Sequence, residues 1–132
     1  ENVDTFFKDT PIHFVADAID SLGCKVALIE YCTKNNLPVI SSMGAGRKLQ
    51  TNNVKVSDIS KTRYCPLARH VRLNLKKRGV NKGVLAIYSD GAPDYVKLSG
   101  IRQKYVNGTI GYLPALFGMI MAGEIIQRLL KN

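Results

Sequence analysis

The feature that most constrains this chain is an apolar run that ends in a carboxylate just before a helix. Residues 12–15 are mostly β-branched or aromatic and predict a buried strand, and residues 22–35 follow a helical pattern. Asp20 is therefore expected at the carboxyl end of a strand, where open α/β sheets bind their ligands. Ser21 would cap the helix, whose first amides would face an anion. An ordinary Asp-Ser cap on a βα turn explains the same two residues equally well.

The rest of the chain predicts one α/β domain over residues 1–132, with a sheet flanked by helices. The further strands are expected at 38–43, 54–59 and 84–88, and the further helices at 66–78 and from Pro114 to about 130. A hydrophobic content of 45% and a charged content of 22% are ordinary for a globular domain. The longest apolar run, 113–123, is too short to cross a bilayer, so it predicts a buried core helix and no membrane contact.

Positive charge is concentrated in the middle of the chain. The net charge is +9, and between Arg47 and Lys104 fourteen Lys and Arg residues face three acids. Such a segment predicts a polyanionic partner, although a solvated helix face is the common alternative. Tyr64 and His70 could stack on a base or pack locally. The residues that we expect to bind the nucleic acid are Arg63, Arg69, Arg72, Lys76 and Lys77.

Three further motifs complete a pattern that resembles a known family. They are Gly44-Ala45-Gly46, Asp58-Ile59-Ser60-Lys61-Thr62 leading to Pro66-Leu67-Ala68-Arg69, and Gly108-Thr109-Ile110-Gly111-Tyr112-Leu113-Pro114. Together with Asp17-Ala18-Ile19-Asp20-Ser21 they resemble the ThiF family of the ubiquitin-activating-enzyme-like superfamily. Within it the resemblance points to the tRNA threonylcarbamoyladenosine dehydratases, and it runs from about Ile12 to Leu130.

The resemblance implies ATP-dependent adenylation of a carboxylate. It implies that Asp20 holds Mg²⁺ and the nucleotide phosphates, that Ser21 lies beside them, and that Lys25 orients Asp20 or touches a phosphate. In the dehydratase branch the activated carboxylate belongs to threonylcarbamoyladenosine beside the anticodon of tRNA, and ring closure expels AMP. The residues implied on the substrate side are Gly44, Ala45 and Gly46.

The resemblance also implies the C-terminal half of a Rossmann-like ThiF-type adenylating fold, with a mixed sheet. The Gly-rich turn with which family members hold ATP does not occur in these residues. We therefore expect a fragment of a protein about twice as long, inactive towards ATP by itself. We also expect a homodimer formed through the last helix and residues 37–43, in the cytoplasm or, if the source is eukaryotic, associated with mitochondria.

Two other functions stay open on the sequence. Cys24, Cys32 and Cys65 form no C-x-x-C pair, so no zinc is expected, and this favours the dehydratase branch. The first alternative is activation of a ubiquitin-like or sulfur-carrier protein, in which Cys65 would capture the acyl group. The second is a non-enzymatic scaffold that dimerises or binds RNA.

Overall fold

Four strands form one mixed sheet in the computed structural model, which describes residues 3–7, 11–93 and 108–131. The strands are β1 (Val15–Asp17), β2 (Val39–Ser42), β3 (Val54–Asp58) and β4 (Leu85–Ser89). The helices are α1 (Val3–Phe6), α2 (Leu22–Lys34), α3 (Pro66–Lys77) and α4 (Tyr112–Leu129). Short 3-10 turns at Thr51–Asn53 and Ile59–Lys61 flank β3.

The strand order is β1-β2-β4-β3, and only β3 runs antiparallel to its neighbour. β2 lies in the centre, with Val39 beside Val15 of β1 and Ile40 beside Leu85 of β4. The predicted mixed α/β sheet is confirmed. Because β1, β2 and β4 are parallel, their carboxyl ends meet at one edge, and this edge positions the candidate site.

Helices cover both faces of the sheet. On one face α2 and α3 bury stripes that include Val26, Ile29 and Val71, all 0–1% exposed. On the other face Phe117 of α4 packs on Ile40 and other strand residues. The apolar stripe on α2 has the helical spacing that the sequence predicts.

The first strand is displaced from its predicted position. We expected it at 12–15, but β1 runs from Val15 to Asp17. Its ladder begins where Val15 N–H donates to the Pro38 carbonyl at 2.8 Å, because β2 itself begins only after Pro38. Asp17 ends the strand as a buried carboxylate, which a hydrophobic pattern alone does not predict.

The prediction that 113–123 forms a buried core helix is confirmed for one side of the helix. α4 buries Leu113, Phe117 and Met121 at four-residue spacing. On its opposite side Met119 is 75% exposed and Ile126 is 57% exposed. The helix is therefore apolar on both sides but buried on one. Among the described residues no helix is long and apolar enough to cross a membrane.

The middle of the 37–43 segment, which we expected to contribute to a dimer contact, is buried inside the sheet. β2 pairs with β1 on one side and β4 on the other, and Val39, Ile40 and Ser41 are buried. A strand with both edges paired and both faces covered has no surface to offer a second chain.

We predict that Leu75→Ala lowers the free energy of unfolding by about 2–5 kcal/mol, because Leu75 is completely buried between α3 and the sheet. Urea denaturation measures the change. Leu73→Ala on the same helix is the control, since Leu73 is 47% exposed and should cost less than about 0.5 kcal/mol. Equal losses in the two variants would contradict the assigned core.

Candidate functional site

A cavity of about 320 Å³ opens at the carboxyl edge of the sheet. Asp20 lies on one wall, Gly44 and Ala45 lie on the second, and Phe117 of α4 closes the third. Asp20 itself is exposed, so its carboxylate is accessible to a ligand. The complete lining is Ala18, Ile19, Asp20, Ser42, Met43, Gly44, Ala45, Leu67, Thr109, Pro114, Phe117, Gly118 and Met121.

A buried ion pair contacts Ser42, one of the residues that line this cavity. Lys25 Nζ donates to Asp17 Oδ2 at 2.7 Å, and both side chains are 0% exposed. The same ammonium donates to Ser41 Oγ at 3.2 Å and to the Ser42 carbonyl at 3.0 Å. Its three protons are thus all engaged, which is what compensates a buried cation for its lost hydration.

The ion pair ties β1, β2 and α2 to one another. Ser41 Oγ donates to Asp17 Oδ2 at 2.5 Å, and these two residues are register partners in the β1–β2 ladder. Asp17 Oδ1 accepts a hydrogen bond from Ile19 N–H at 2.9 Å, which fixes the start of the loop that carries Asp20. The network therefore determines where the Asp20 loop leaves the sheet.

These contacts define the position of Lys25. The resemblance implied that Lys25 orients Asp20 or touches a phosphate, and its ammonium binds Asp17, Ser41 and the Ser42 carbonyl, without a direct bond to Asp20. The physical reason is the first turn of α2, whose inward side carries Lys25 into the core with Val26. A contact with phosphate would require one of the buried hydrogen bonds to break.

Ser21 occupies the N-cap position of α2, as predicted. Its side chain makes no capping hydrogen bond, so the hydroxyl does not accept from the first amides of the helix. These amides lie immediately after Asp20 in the chain, and a helix N-terminus without a side-chain cap is a favourable place for an anion.

In the glycine turn after β2, the first two residues line the cavity and the third does not. Gly44 and Ala45 line the cavity, and a Cβ at Gly44 would lie 3.6 Å from the Leu67 Cβ. Gly46 does not line the cavity, and a Cβ at this position would be 3.8 Å from Thr109 Oγ1. Two of the three predicted substrate-side residues thus line the same cavity as Asp20. The third, Gly46, lies next to Thr109, which lines the cavity.

Cys65 serves as a structural cap. Its thiol is 5% exposed, accepts a hydrogen bond from Ala68 N–H at 3.4 Å, and lies 3.9 Å from the Gly44 carbonyl as a donor. Cys32 is buried in α2, and burial raises the pKa of its thiol to about 11. Neither thiol is presented to solvent as a nucleophile. The described residues contain no group of three or more His, Cys, Asp and Glu side chains arranged to hold a metal ion.

The basic residues do not form one uniform stripe. Arg69, Lys76 and Lys77 are exposed on α3, as predicted. Arg72 is instead half-buried, and its guanidinium donates to the carbonyl and hydroxyl oxygens of Thr62. The direction of α3 over the 3-10 turn at Ile59–Lys61 brings these groups together, so Arg72 anchors the turn. Three of the fourteen cations, Lys97, Arg102 and Lys104, lie outside the described residues.

Sequence reasoning missed Asp17, Ser41 and Lys48. Lys48 is 4% exposed, and its ammonium donates to the Tyr64 carbonyl at 2.9 Å and to the Gly91 carbonyl. The available signal for Asp17 was a carboxylate inside an apolar run, eight residues before a lysine on the inward side of a helix. Lys48 gives no comparable signal, because its acceptors are backbone atoms of distant loops.

The fold and the cavity define a mixed α/β domain with its ligand site at the carboxyl edge of the parallel strands. Comparison with known proteins is more specific, because the ThiF family profile matches residues 1–132. The chain is 34% identical to the tRNA threonylcarbamoyladenosine dehydratase of Bacillus subtilis, over 100% of this chain and 56% of that protein. The chain belongs to the ThiF family.

Solved structures of one relative agree with this assignment. The crystal structure of E. coli tRNA N6-threonylcarbamoyladenosine dehydratase superposes with a TM-score of 0.85 at 31% identity, covering 98% of this chain and 53% of that one. The same E. coli enzyme in complex with ATP gives a TM-score of 0.82 at 28% identity, covering 98% of this chain and 52% of that one. The chain thus spans about half the length of the relatives that it matches.

We predict that Lys25→Met lowers the free energy of unfolding by about 3–5 kcal/mol, because Asp17 would remain as a buried charge without a cation. Combining Lys25→Met with Asp17→Asn should recover part of this loss. Lys34→Met on the same helix is the control, since Lys34 is exposed and its ion pair with Glu30 lies at the surface. Chemical denaturation that finds no difference between Lys25→Met and Lys34→Met would contradict a stabilising role.

Proposed function

We propose that this chain forms part of an ATP-dependent enzyme that cyclises threonylcarbamoyladenosine in tRNA. The observation that carries the proposal is the shared cavity of Asp20, Gly44 and Ala45 at the carboxyl edge of the sheet. Support comes from relatives named tRNA threonylcarbamoyladenosine dehydratase and from the ATP complex of the E. coli enzyme. Because the chain spans about half of these relatives, the activity is proposed for the full-length protein.

The residues around the cavity suit a nucleotide phosphate with Mg²⁺. Mg²⁺ is commonly held by one or two carboxylates together with phosphate oxygens, so the exposed carboxylate of Asp20 would suffice on the protein side. When bound, Mg²⁺ would neutralise charge that develops on the phosphates. The first amides of α2, which Ser21 leaves uncapped, would face the same anion.

In the proposed reaction the substrate carboxylate attacks the α-phosphorus of ATP and pyrophosphate leaves. A nitrogen of the same modified nucleoside then attacks the activated carbonyl, loses its proton, and expels AMP. The oxygen lost in the dehydration departs with AMP. In this proposal Asp20 would hold the metal, the first amides of α2 would face the phosphate, and Gly44 and Ala45 would shape the acyl side of the site.

A tRNA substrate accounts for the distribution of charge. Arg69, Lys76 and Lys77 are exposed on α3, in a segment whose local balance is strongly positive. A series of such cations binds a phosphate backbone and releases condensed counterions. A small folded carrier protein would not require a cationic surface of this extent.

Activation of a carrier protein through a thioester is the second candidate, and the packing of Cys65 weighs against it. The thiol is 5% exposed and caps α3, so it would have to leave the core to accept an acyl group. Cys24 is the exposed cysteine of the described residues, and it lies on α2 rather than in the turn before α3.

The decisive experiment measures AMP released from ATP by the full-length protein, with and without tRNA that carries threonylcarbamoyladenosine. We expect modified tRNA to stimulate release. Asp20→Ala and Asp20→Asn should both reduce it by about 10²–10³-fold, because each removes the carboxylate that would hold the Mg²⁺ on which the phosphates depend. Since Asp20 is exposed, both variants should keep the unfolding midpoint of the wild type.

Cys65→Ser is the control variant, because a serine can still cap α3. It should retain AMP release close to that of the wild type. Stimulation by a carrier protein but not by tRNA, together with loss of acyl transfer in Cys65→Ser, would replace the dehydratase proposal with the carrier one. A protein that neither substrate stimulates would favour the scaffold.

We further propose that the outer face of α4 forms a homodimer contact. Tyr112, Met119, Ile126 and Leu130 lie on the side of α4 opposite to its buried stripe, and all are exposed. A helix that is apolar on all sides is stable in water when both sides are covered.

The dimer proposal predicts that Ile126→Glu shifts the molar mass measured by light scattering from dimer to monomer. A charge in a dry apolar contact has no compensating partner, so association should weaken strongly. Gln127→Glu, on the adjacent exposed side of the same helix, should leave the mass unchanged. A wild-type protein that is monomeric at micromolar concentration would contradict the proposal.

A further inference from the structure

Tyr64 is an exposed aromatic residue in an unusual backbone conformation. Its side chain is 60% exposed, and its φ of 52° lies in the left-handed region that aromatic residues rarely occupy. Residues held in this region cluster at binding and catalytic sites, where the surrounding structure fixes them. The sequence left local packing open for Tyr64, and its exposure excludes a core role.

The loop around Tyr64 is fixed on both sides. The buried Lys48 ammonium donates to the Tyr64 carbonyl at 2.9 Å. Before it, Thr62 Oγ1 donates to the Ile59 carbonyl at 2.8 Å, and Arg72 donates to the Thr62 carbonyl at 2.9 Å. After it, Cys65 caps α3. The backbone is therefore ordered before any ligand arrives, and the aromatic ring is what the loop presents to solvent.

Positive charge lies beside the ring. Arg63, whose side chain is 68% exposed, forms an ion pair with Asp90 at 3.1 Å, and Lys55 pairs with the same carboxylate oxygen at 2.7 Å. Two cations on one carboxylate leave a net positive charge. The hydrogen bond from Lys55 lowers the pKa of Asp90, burial opposes this in part, and Arg63 lowers it further, so the carboxylate stays ionised at neutral pH.

Sequence neighbours of Tyr64 also contact or line the cavity of the candidate site. Cys65, the next residue, contacts the Gly44 carbonyl, and Gly44 lines the cavity with Asp20. Leu67, three residues after Tyr64, is part of the cavity wall. Tyr64 is thus one residue away from a contact with the cavity wall, and a group bound on its ring would lie near the cavity.

We propose that Tyr64 is a stacking platform for an unpaired base of RNA, with Arg63 on the adjoining phosphate. A fixed aromatic ring next to one exposed guanidinium group suits a single strand, since every base has a face that can stack and every nucleotide brings a phosphate. Duplex RNA keeps its bases stacked internally and would gain little from the ring. The inference rests on the proposed function, because it names residues that would hold the RNA near the reacting nucleoside.

Two substitutions distinguish the effect of losing the aromatic ring from the effect of disturbing the backbone conformation. Asn and His both tolerate the left-handed conformation, so Tyr64→Asn removes the aromatic ring and Tyr64→His keeps one without changing the demand on φ. The probes are a fluorescein-labelled stem–loop RNA and a duplex of the same stem, and the measurement is equilibrium binding by anisotropy with the full-length protein.

We expect Tyr64→Asn to weaken binding of the stem–loop by about fivefold to a hundredfold, the range typical of losing one stacked base, and to leave duplex binding unchanged. Tyr64→His should remain much closer to the wild type. Arg63→Gln should weaken both RNAs similarly and reduce the dependence of affinity on salt by about one phosphate contact.

Unchanged stem–loop binding by Tyr64→Asn would overturn the inference, as would equal losses for the stem–loop and the duplex. A ring-dependent loss seen only with a protein ligand would also overturn it. These results differ from failure of the proposed function, which would appear as a wild-type protein whose AMP release does not respond to modified tRNA.

Discussion

The buried ion pair of Lys25 and Asp17 is the interaction on which the rest of the site depends. Both groups are completely buried, so each is tolerable in the core only while the other is present. Through Ser41 and the Ser42 carbonyl the same ammonium also holds the end of the central strand. Helix α2, two parallel strands and the loop to Asp20 are thereby joined at one point. The phosphate and metal site that we propose would require such support from neighbouring side chains to keep a fixed geometry.

A second lysine joins the other loops of this edge. Lys48 connects the segment after β2 with the turn before α3 and, through the Gly91 carbonyl, with the end of β4. Two buried lysines thus bind oxygen atoms of segments near the cavity, whereas Arg69, Lys76 and Lys77 are exposed on α3. Positive charge thus has two separate uses here, which composition alone cannot distinguish. The buried cations shape the site, and in our proposal the exposed cations attract the nucleic acid.

Local patterns were sufficient for most of the fold. The bounds of α2 and α3, the position of β2 to β4 within a residue or two, and the place of Asp20 at the carboxyl edge all follow from periodicity and turn residues. The partners of Asp17 do not, because Ser41 is 24 positions away and an acid in an apolar run normally indicates the end of a strand. The direction of Lys25 depends on the same long-range pairing. The apolar pattern of α4 predicted burial, but a pattern within one helix does not say whether one side or both are covered.

The central claim is that the cavity beside Asp20 holds the phosphates of ATP. A crystal structure of the full-length protein with ATP and Mg²⁺ tests it most directly. We predict density for the α-phosphate at the N-terminus of α2, on the side of the Asp20 carboxylate that would hold Mg²⁺, while Lys25 keeps its hydrogen bonds to Asp17 and Ser41. Nucleotide density away from Asp20, or a Lys25 ammonium drawn out of the core onto a phosphate, would contradict the account.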